Sequence, residues 1–301
     1  MPDSHWSKFV FSSIVAKLIS LENSRKDLNF MTLQHKIKEN ARLSLKNYWG
    51  RAIGILAFLF GLSILLLLLE QIFCRILRLT ADMSGRQFNI SRELAVITAV
   101  FWGLGLLLAA PLSMGAKAWY CGQVKGERPP MLVLFSCFSS WKRLFRTVLF
   151  RLLVGIRKLL WGILFALPSL LIWFGLEYMP MPLSLEGVGP AVAAALAVLL
   201  LLTSILMAVL WYVTTLRYFL ADYLFLAEEK AGLHRAIKDS VRAMKGRKRV
   251  LFRMQLSFLP WFLLGVFAAP LLFVCPYWMS SMAIFAQVRI EQLHRKEESE
   301  A

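Results

Sequence analysis

Apolar residues in this chain come in long unbroken blocks, unlike the alternating or three-to-four spacing of soluble strands and helices. Five stretches contain no Asp, Glu, Lys or Arg: residues 52–69, 94–116, 159–176, 187–216 and 254–288. A helix rises 1.5 Å per residue, so a hydrocarbon core of about 30 Å takes about 20 of them. Each of the first four stretches predicts one crossing. The fifth would be about 52 Å long as one helix, and Pro260, Pro270 and Pro276 interrupt it. Proline lacks an amide donor and breaks a helix, so a helical hairpin turning near residues 268–270 is expected. One tilted, kinked helix is the competing reading. With flanking residues included, six crossings are expected at about 52–74, 94–116, 155–177, 190–214, 250–268 and 270–288. The fold class is all-α, a polytopic transmembrane helix bundle.

Between the blocks the pattern changes to helical amphipathicity. Residues 30–49 put Leu33, Ile37, Ala41, Leu45 and Tyr48 on one stripe, with Lys36, Lys38, Arg42 and Lys46 elsewhere. Residues 131–151 include Trp141-Lys142-Arg143-Leu144-Phe145-Arg146. Residues 228–249 align Leu233, Ile237, Val241 and Met244, with Lys238, Arg242 and Lys245 facing away. All three fit basic helices lying in the headgroup plane. Residues 1–29, where Trp6, Phe9, Val10, Ile14 and Leu18 mix with Lys8 and Lys17, are expected to be a cytoplasmic amphipathic extension rather than a cleavable signal. Residues 30–290 form the membrane domain and 291–301 a charged cytoplasmic tail. Leu45-Lys46, Trp141-Lys142 and Met244-Lys245 recur 96 and 103 residues apart. A threefold repeat is one explanation. The favoured one is simpler: every inner junction takes a Lys and an interfacial aromatic.

Composition narrows the class further. Of 301 residues 58% are hydrophobic, mean hydropathy is +0.61, and the net charge is +17. A soluble domain would expose much of that apolar material, and a disordered chain could not carry it. Lys and Arg are retained on the cytoplasmic side during insertion. Under six crossings 31 of the 35 fall on one side, and only Arg75, Arg78, Arg86 and Arg92 on the other. The amino terminus is therefore expected inside.

Catalytic motifs are missing: the sequence has no His-Glu-x-x-His, Gly-x-Ser-x-Gly or phosphate-binding Gly-x4-Gly-Lys. His5, His35, His234 and His294 are far apart, and Cys74, Cys121, Cys137 and Cys275 form no close pair, so no metal or cofactor is expected. No ionisable residue falls at an expected midplane. Arg217 and Asp222, at the inner end of the fourth crossing, are expected to be interfacial anchors, as are Trp49 and Trp141. Gly103 and Gly105, and the pair Gly50 and Gly54, are expected at close helix contacts. The strongest cluster is Lys245, Arg247, Lys248, Arg249 and Arg253 beside a crossing. It predicts contact with anionic membrane lipids, which attract juxtamembrane cations. Nucleic acid is not an expected partner, because no segment is long enough for a solvent-facing binding domain.

Three segments carry a resemblance. They are Lys38-Glu39-Asn40-Ala41-Arg42 leading to Leu45-Lys46-Asn47-Tyr48-Trp49-Gly50, then Ala236-Ile237-Lys238-Asp239-Ser240 running to Met244-Lys245-Gly246-Arg247-Lys248, and Leu256-Ser257-Phe258 with Trp261 followed by Pro276-Tyr277. Over roughly residues 35–290 the chain resembles a bacterial integral membrane family known as domain of unknown function 975. Where that family's pattern has Phe-Tyr, this chain has Phe285-Ala286. The resemblance implies a multi-spanning protein of a bacterial cytoplasmic membrane and brings no activity with it. The leading expectation is a non-enzymatic scaffold, export accessory or envelope-stress component, with other membrane proteins as partners. Two readings stand beside it: a permease for a hydrophobic or lipid-like solute, and a lipid-headgroup enzyme using Asp222, Glu228 or Glu229.

Overall fold

The computed structural model describes residues 15–16, 28–77, 82–84, 87–89, 92–178, 190–228, 232–263 and 270–300. In chain order the helices are α1 (Leu28–Leu45), α2 (Trp49–Ile76), α3 (Arg92–Val124), α4 (Trp141–Tyr178), α5 (Pro190–Thr215), α6 (Ala221–Ala227), α7 (Leu233–Ala243), α8 (Lys248–Leu256), α9 (Leu259–Leu263) and α10 (Leu271–Glu300). Two 3-10 segments, Met131–Phe138 and Leu216–Tyr218, link α3 to α4 and α5 to α6. A small antiparallel hairpin of β1 (Asp82–Ser84) and β2 (Gln87–Asn89), with Met83 opposite Phe88, joins α2 to α3. Helix predominates, as the long apolar blocks require.

Among the described residues, four stretches are long and apolar enough to span a membrane: Trp49–Ile76, Arg92–Val124, Ala194–Ala227 and Leu271–Ser299. Chain-terminating signals close α3 sharply. Gly126 adopts φ +76°, its amide donates to the Gln123 carbonyl at 3.1 Å, and the Glu127 amide donates to the Gly122 carbonyl at 3.0 Å. This pairing satisfies the last carbonyls of the helix, and glycine takes the left-handed position without Cβ strain. Pro129-Pro130 then follows, so the helix cannot resume at once.

Burial divides the molecule into two zones. One is a closed hub built from Ile37, Leu45, Trp119, Phe150, Leu220, Ile237, Met244, Phe258 and Phe285, all essentially inaccessible. The other is a set of apolar arms whose sides are open, as at Leu67, Trp102, Leu171 and Leu201. The arms pair locally. Phe73 of α2 meets Phe101 of α3 at 5.7 Å between ring centres. Trp211 of α5 donates its indole N–H to the Lys158 carbonyl of α4 at 2.8 Å. Helices apolar on every side yet open along those sides have lipid, not water, as their solvent.

The hub changes several sequence expectations. The α1 stripe of Leu33, Ile37, Ala41 and Leu45 is wholly buried in protein, chiefly against α10, instead of lying against headgroups. Gln123 of α3 also donates its side-chain amide to the Ser44 carbonyl at 3.0 Å. In α7 Ile237 is buried, but Val241 is exposed, and Ala236 and Ser240 take the inner positions. Met244 of the expected stripe is buried too, and Ser240 Oγ donates to the Arg217 carbonyl at 2.8 Å. Residues 131–151 are not one helix: the 3-10 segment ends at Phe138 and α4 starts afresh at Trp141.

The fifth apolar run is described only in part: residues 264–269, which take in most of the hairpin turn expected near residues 268–270, lie outside the described residues. Its first part holds the short helices α8 and α9, while α10 continues unbroken past Pro276 through most of the expected tail. Met282, Phe285, Ile290 and Leu293 are buried in the hub, so α10 works largely as a core helix and the expected boundary at residue 290 falls inside it. Gly50, Gly103 and Gly105 are not at close contacts within the chain: a Cβ on any of them would meet nothing within 4 Å. Of that set only Gly54 is tight, 3.0 Å from the Met131 methyl. Most of the expected amino-terminal extension, the 179–189 loop and Glu229 lie outside the described residues, although Val15 is buried in the hub.

Candidate functional site

Asp222 is the only acid between Glu186 and Glu228. The 3-10 turn after α5 redirects the chain, and α6 then carries Asp222 into the hub, where it is 6% exposed. Lys117, near the end of α3, donates its ammonium to Asp222 Oδ2. Arg151 of α4 brings Nη1 to 3.3 Å from the same oxygen. Its Nη2 donates to Ser113 Oγ at 2.7 Å, and Ser113 in turn donates to the Ala110 carbonyl at 2.8 Å. The Lys117 ammonium also stands 5.6 Å from the centre of the Tyr223 ring. Lys158 adds a third cation within electrostatic reach.

One carboxylate therefore ties α3, α4 and α6 together against an excess of positive charge. Charge-assisted hydrogen bonds of this kind are stronger than neutral ones, and their low-dielectric setting raises the cost of losing a partner. Among the described residues, Asp222 Oδ1 and Arg151 Nε are buried without a hydrogen-bond partner. The arrangement suits a three-helix clamp at the mouth of the apolar arms. Among the described residues no three His, Cys, Asp or Glu side chains gather in a metal-binding group.

The matched family is the one described as Protein of unknown function (DUF975), and the match runs over residues 31–292. The chain belongs to this family. No curated protein and no solved structure matches it. In this DUF975 protein, the segments 38–50 and 236–248 that carried the resemblance are the α1–α2 and α7–α8 corners. Both feed the hub, through Leu45 in one and Ile237 and Met244 in the other.

The structure distributes the sequence-derived site residues unevenly. Asp222 is no headgroup anchor, because its carboxylate is enclosed and paired with Lys117 and Arg151. Arg217 stacks its guanidinium 4.7 Å over the Trp161 ring and lies beside Lys248. It thus joins the basic cluster instead of standing apart. Burial, and then the Arg217 charge, lower the Lys248 ammonium below its ordinary value. Lys245, Arg249 and Arg253 are exposed, and Gly246 at φ +77° makes the corner that groups them. Trp49 is half-buried 5.9 Å from the Phe273 ring, whereas Trp141 is 74% exposed.

Sequence reasoning missed Lys117 and Arg151. A signal was present: Lys117 ends one uncharged run, Arg151 and Lys158 precede the next, and Asp222 follows the one after. All four sit at the same expected depth, where a single acid among cations calls for pairing.

Proposed function

We propose that this DUF975 member is a non-enzymatic multi-pass protein of the bacterial cytoplasmic membrane. It acts as a scaffold, export accessory or envelope-stress component that engages anionic lipid and other membrane proteins. One observation carries the reading: the basic segments converge on one packed hub, while the long apolar arms stay open to a lipid solvent. Both termini lie inside. Six crossings follow from the apolar runs, and the last two, at about 250–268 and 270–288, are the shortest. Reporter fusions after residues 128, 240 and 301 should read inside, and those after 85 and 183 outside. An inside signal from a tag after residue 268 would reduce the count to four, and an outside signal at 301 alone would defeat the hairpin.

The 245–253 cluster supplies the lipid contact. Together with Arg217 it has few acids near it in sequence, and each cation gains on the order of 1 kcal/mol from an anionic leaflet. Changing Lys245, Arg247, Lys248 and Arg249 together to Gln should weaken binding to anionic vesicles by about tenfold or more, with little change on zwitterionic ones. The wild-type advantage should shrink with salt, since such attraction is screened over roughly 8 Å at physiological ionic strength. Equal, salt-insensitive binding by both proteins would remove lipid contact from the role of this cluster.

A permease for a hydrophobic solute has one observation in its favour. An apolar cavity of about 520 Å³ opens between α4 and α5, lined by Gly162, Phe165, Ser169, Trp173 and Trp211. A co-purifying apolar solute displaced by Gly162→Phe would favour that reading over the scaffold.

A further inference from the structure

A second cavity, of about 610 Å³, lies where the end of α3, the 3-10 segment Met131–Phe138, the start of α4 and the end of α6 meet. Its chemistry is unlike that of the apolar groove. Lys125, Lys142, Arg143 and Arg146 line it, against the single acid Glu127. Hydroxyl groups from Ser136, Ser139, Ser140 and Thr147 complete the polar wall. Two of the cations are already oriented. Arg143 Nη1 donates to Ser139 Oγ at 3.1 Å and to the Ser136 carbonyl at 3.3 Å, and the Arg146 guanidinium stands 5.3 Å over the Phe225 ring. Two guanidiniums and two ammoniums make a phosphate-type anion site, because guanidinium forks match phosphate oxygens; the Ser139 and Thr147 hydroxyls already donate to the Ser136 and Arg143 carbonyls, so the cations carry the recognition. The volume is within the range of small-ligand pockets.

The other faces of the same two elements are apolar and open. Leu132, Phe135, Trp141, Phe145 and Leu149 are all exposed, Leu132 and Trp141 by 74% each. On α4, Trp141, Phe145 and Leu149 recur every four residues, forming one stripe, while Lys142, Arg143 and Arg146 face the cavity. A basic pocket rimmed by exposed aromatics and aliphatics has the layout of a lipid: headgroup phosphate inside, acyl chains on the rim.

We propose that this cavity holds the phosphate of an anionic membrane lipid, with the acyl chains lying along the Trp141–Phe145–Leu149 stripe. The proposal rests on the membrane reading above and assigns the lipid a seat separate from the 245–253 cluster. The test uses full-length protein in nanodiscs of phosphatidylcholine with titrated phosphatidylglycerol, read by native mass spectrometry of retained lipid. The Arg143→Gln/Arg146→Gln variant should lose retained phosphatidylglycerol by about tenfold or more. The milder Lys125→Gln/Lys142→Gln variant, at one half-buried and one exposed side chain, should lose part of it while keeping the wild-type melting temperature. The quadruple 245–249 Gln variant should keep this tightly held lipid even as its bulk vesicle binding falls. Unchanged retention in both cavity variants, with loss in the quadruple one, would overturn the cavity and leave the anionic-lipid reading intact. Unchanged retention in all three would overturn both. Inorganic phosphate or glycerol phosphate competing at millimolar concentration, in a manner lost with the cavity variants, would overturn the lipid source in favour of a soluble phosphate.

Discussion

Replacing Asp222 with Asn should destabilise the folded protein by about 3–5 kcal/mol, because removing one partner leaves uncompensated buried charge. The amide nearly keeps the carboxylate's shape, so packing changes little, while the Lys117 and Arg151 charges, on side chains 19% and 23% exposed, lose their buried counter-ion. Thermal unfolding in nanodiscs, followed by protease sensitivity of the segments joining α3 to α4 and α6 to α7, would show it. The cause is separable from simple loss of contact. A triple change of Asp222→Leu, Lys117→Met and Arg151→Met removes all three charges and should recover much of the loss, since apolar replacement of a buried ion pair is often neutral or favourable. An Asp222→Asn protein melting within about one degree of the wild type would mean the clamp contributes nothing to stability.

Gly115→Ala should be a strongly damaging change. A Cβ there would drive into the Leu134 carbonyl oxygen and stand 2.6 and 2.8 Å from the Leu134 carbonyl carbon and Cα. These are backbone atoms, so no side-chain rotation relieves the clash, and the 3-10 segment must move away from α3. Overpacking of this kind costs about 1–3 kcal/mol and sometimes more, and Gly115→Val should cost more still. Because that segment forms one wall of the basic cavity, retained phosphatidylglycerol should fall along with the melting temperature. Gly103→Ala and Gly105→Ala lie on the same helix and provide the control. With open space around both, alanine should leave stability unchanged or raise it by up to about 1 kcal/mol through its better helix propensity. Equal effects at positions 103, 105 and 115 would contradict the close approach at Leu134.

The amphipathic segments show how far one-dimensional pattern reaches. Ile37 and Ile237 stand out in sequence as stripe residues, and both are buried to 1% exposure. The stripe was legible; its partner was not. An apolar face looks the same whether it meets acyl chains or another helix, so the packing of α1 on α10 had to come from the three-dimensional arrangement. The glycines teach the converse. Gly103 and Gly105 look like a packing motif and have open space, whereas Gly115, set among larger residues, is the position without room. The basic cluster lies between these cases. Its local density of charge is written in residues 245–249, but the arrival of Arg217 beside Lys248 depends on the turn after α5.

The sequence by itself determined that this is a helical, membrane-type chain with long uncharged arms and basic connecting segments. Those properties are sums and periods over neighbouring residues: run length against bilayer thickness, and apolar spacing against helical pitch. Only the tertiary structure decided that Lys117 and Asp222, 105 positions apart, share a proton-donating contact, that Arg151 joins them, and that residues 282–293 are core. It also decided that Lys125, just past α3, and three cations of α4 line one cavity. Charge pairing and steric exclusion act over a few ångströms in space, and nothing in the order of residues measures the distance between segments a hundred positions apart until the helices between them have packed.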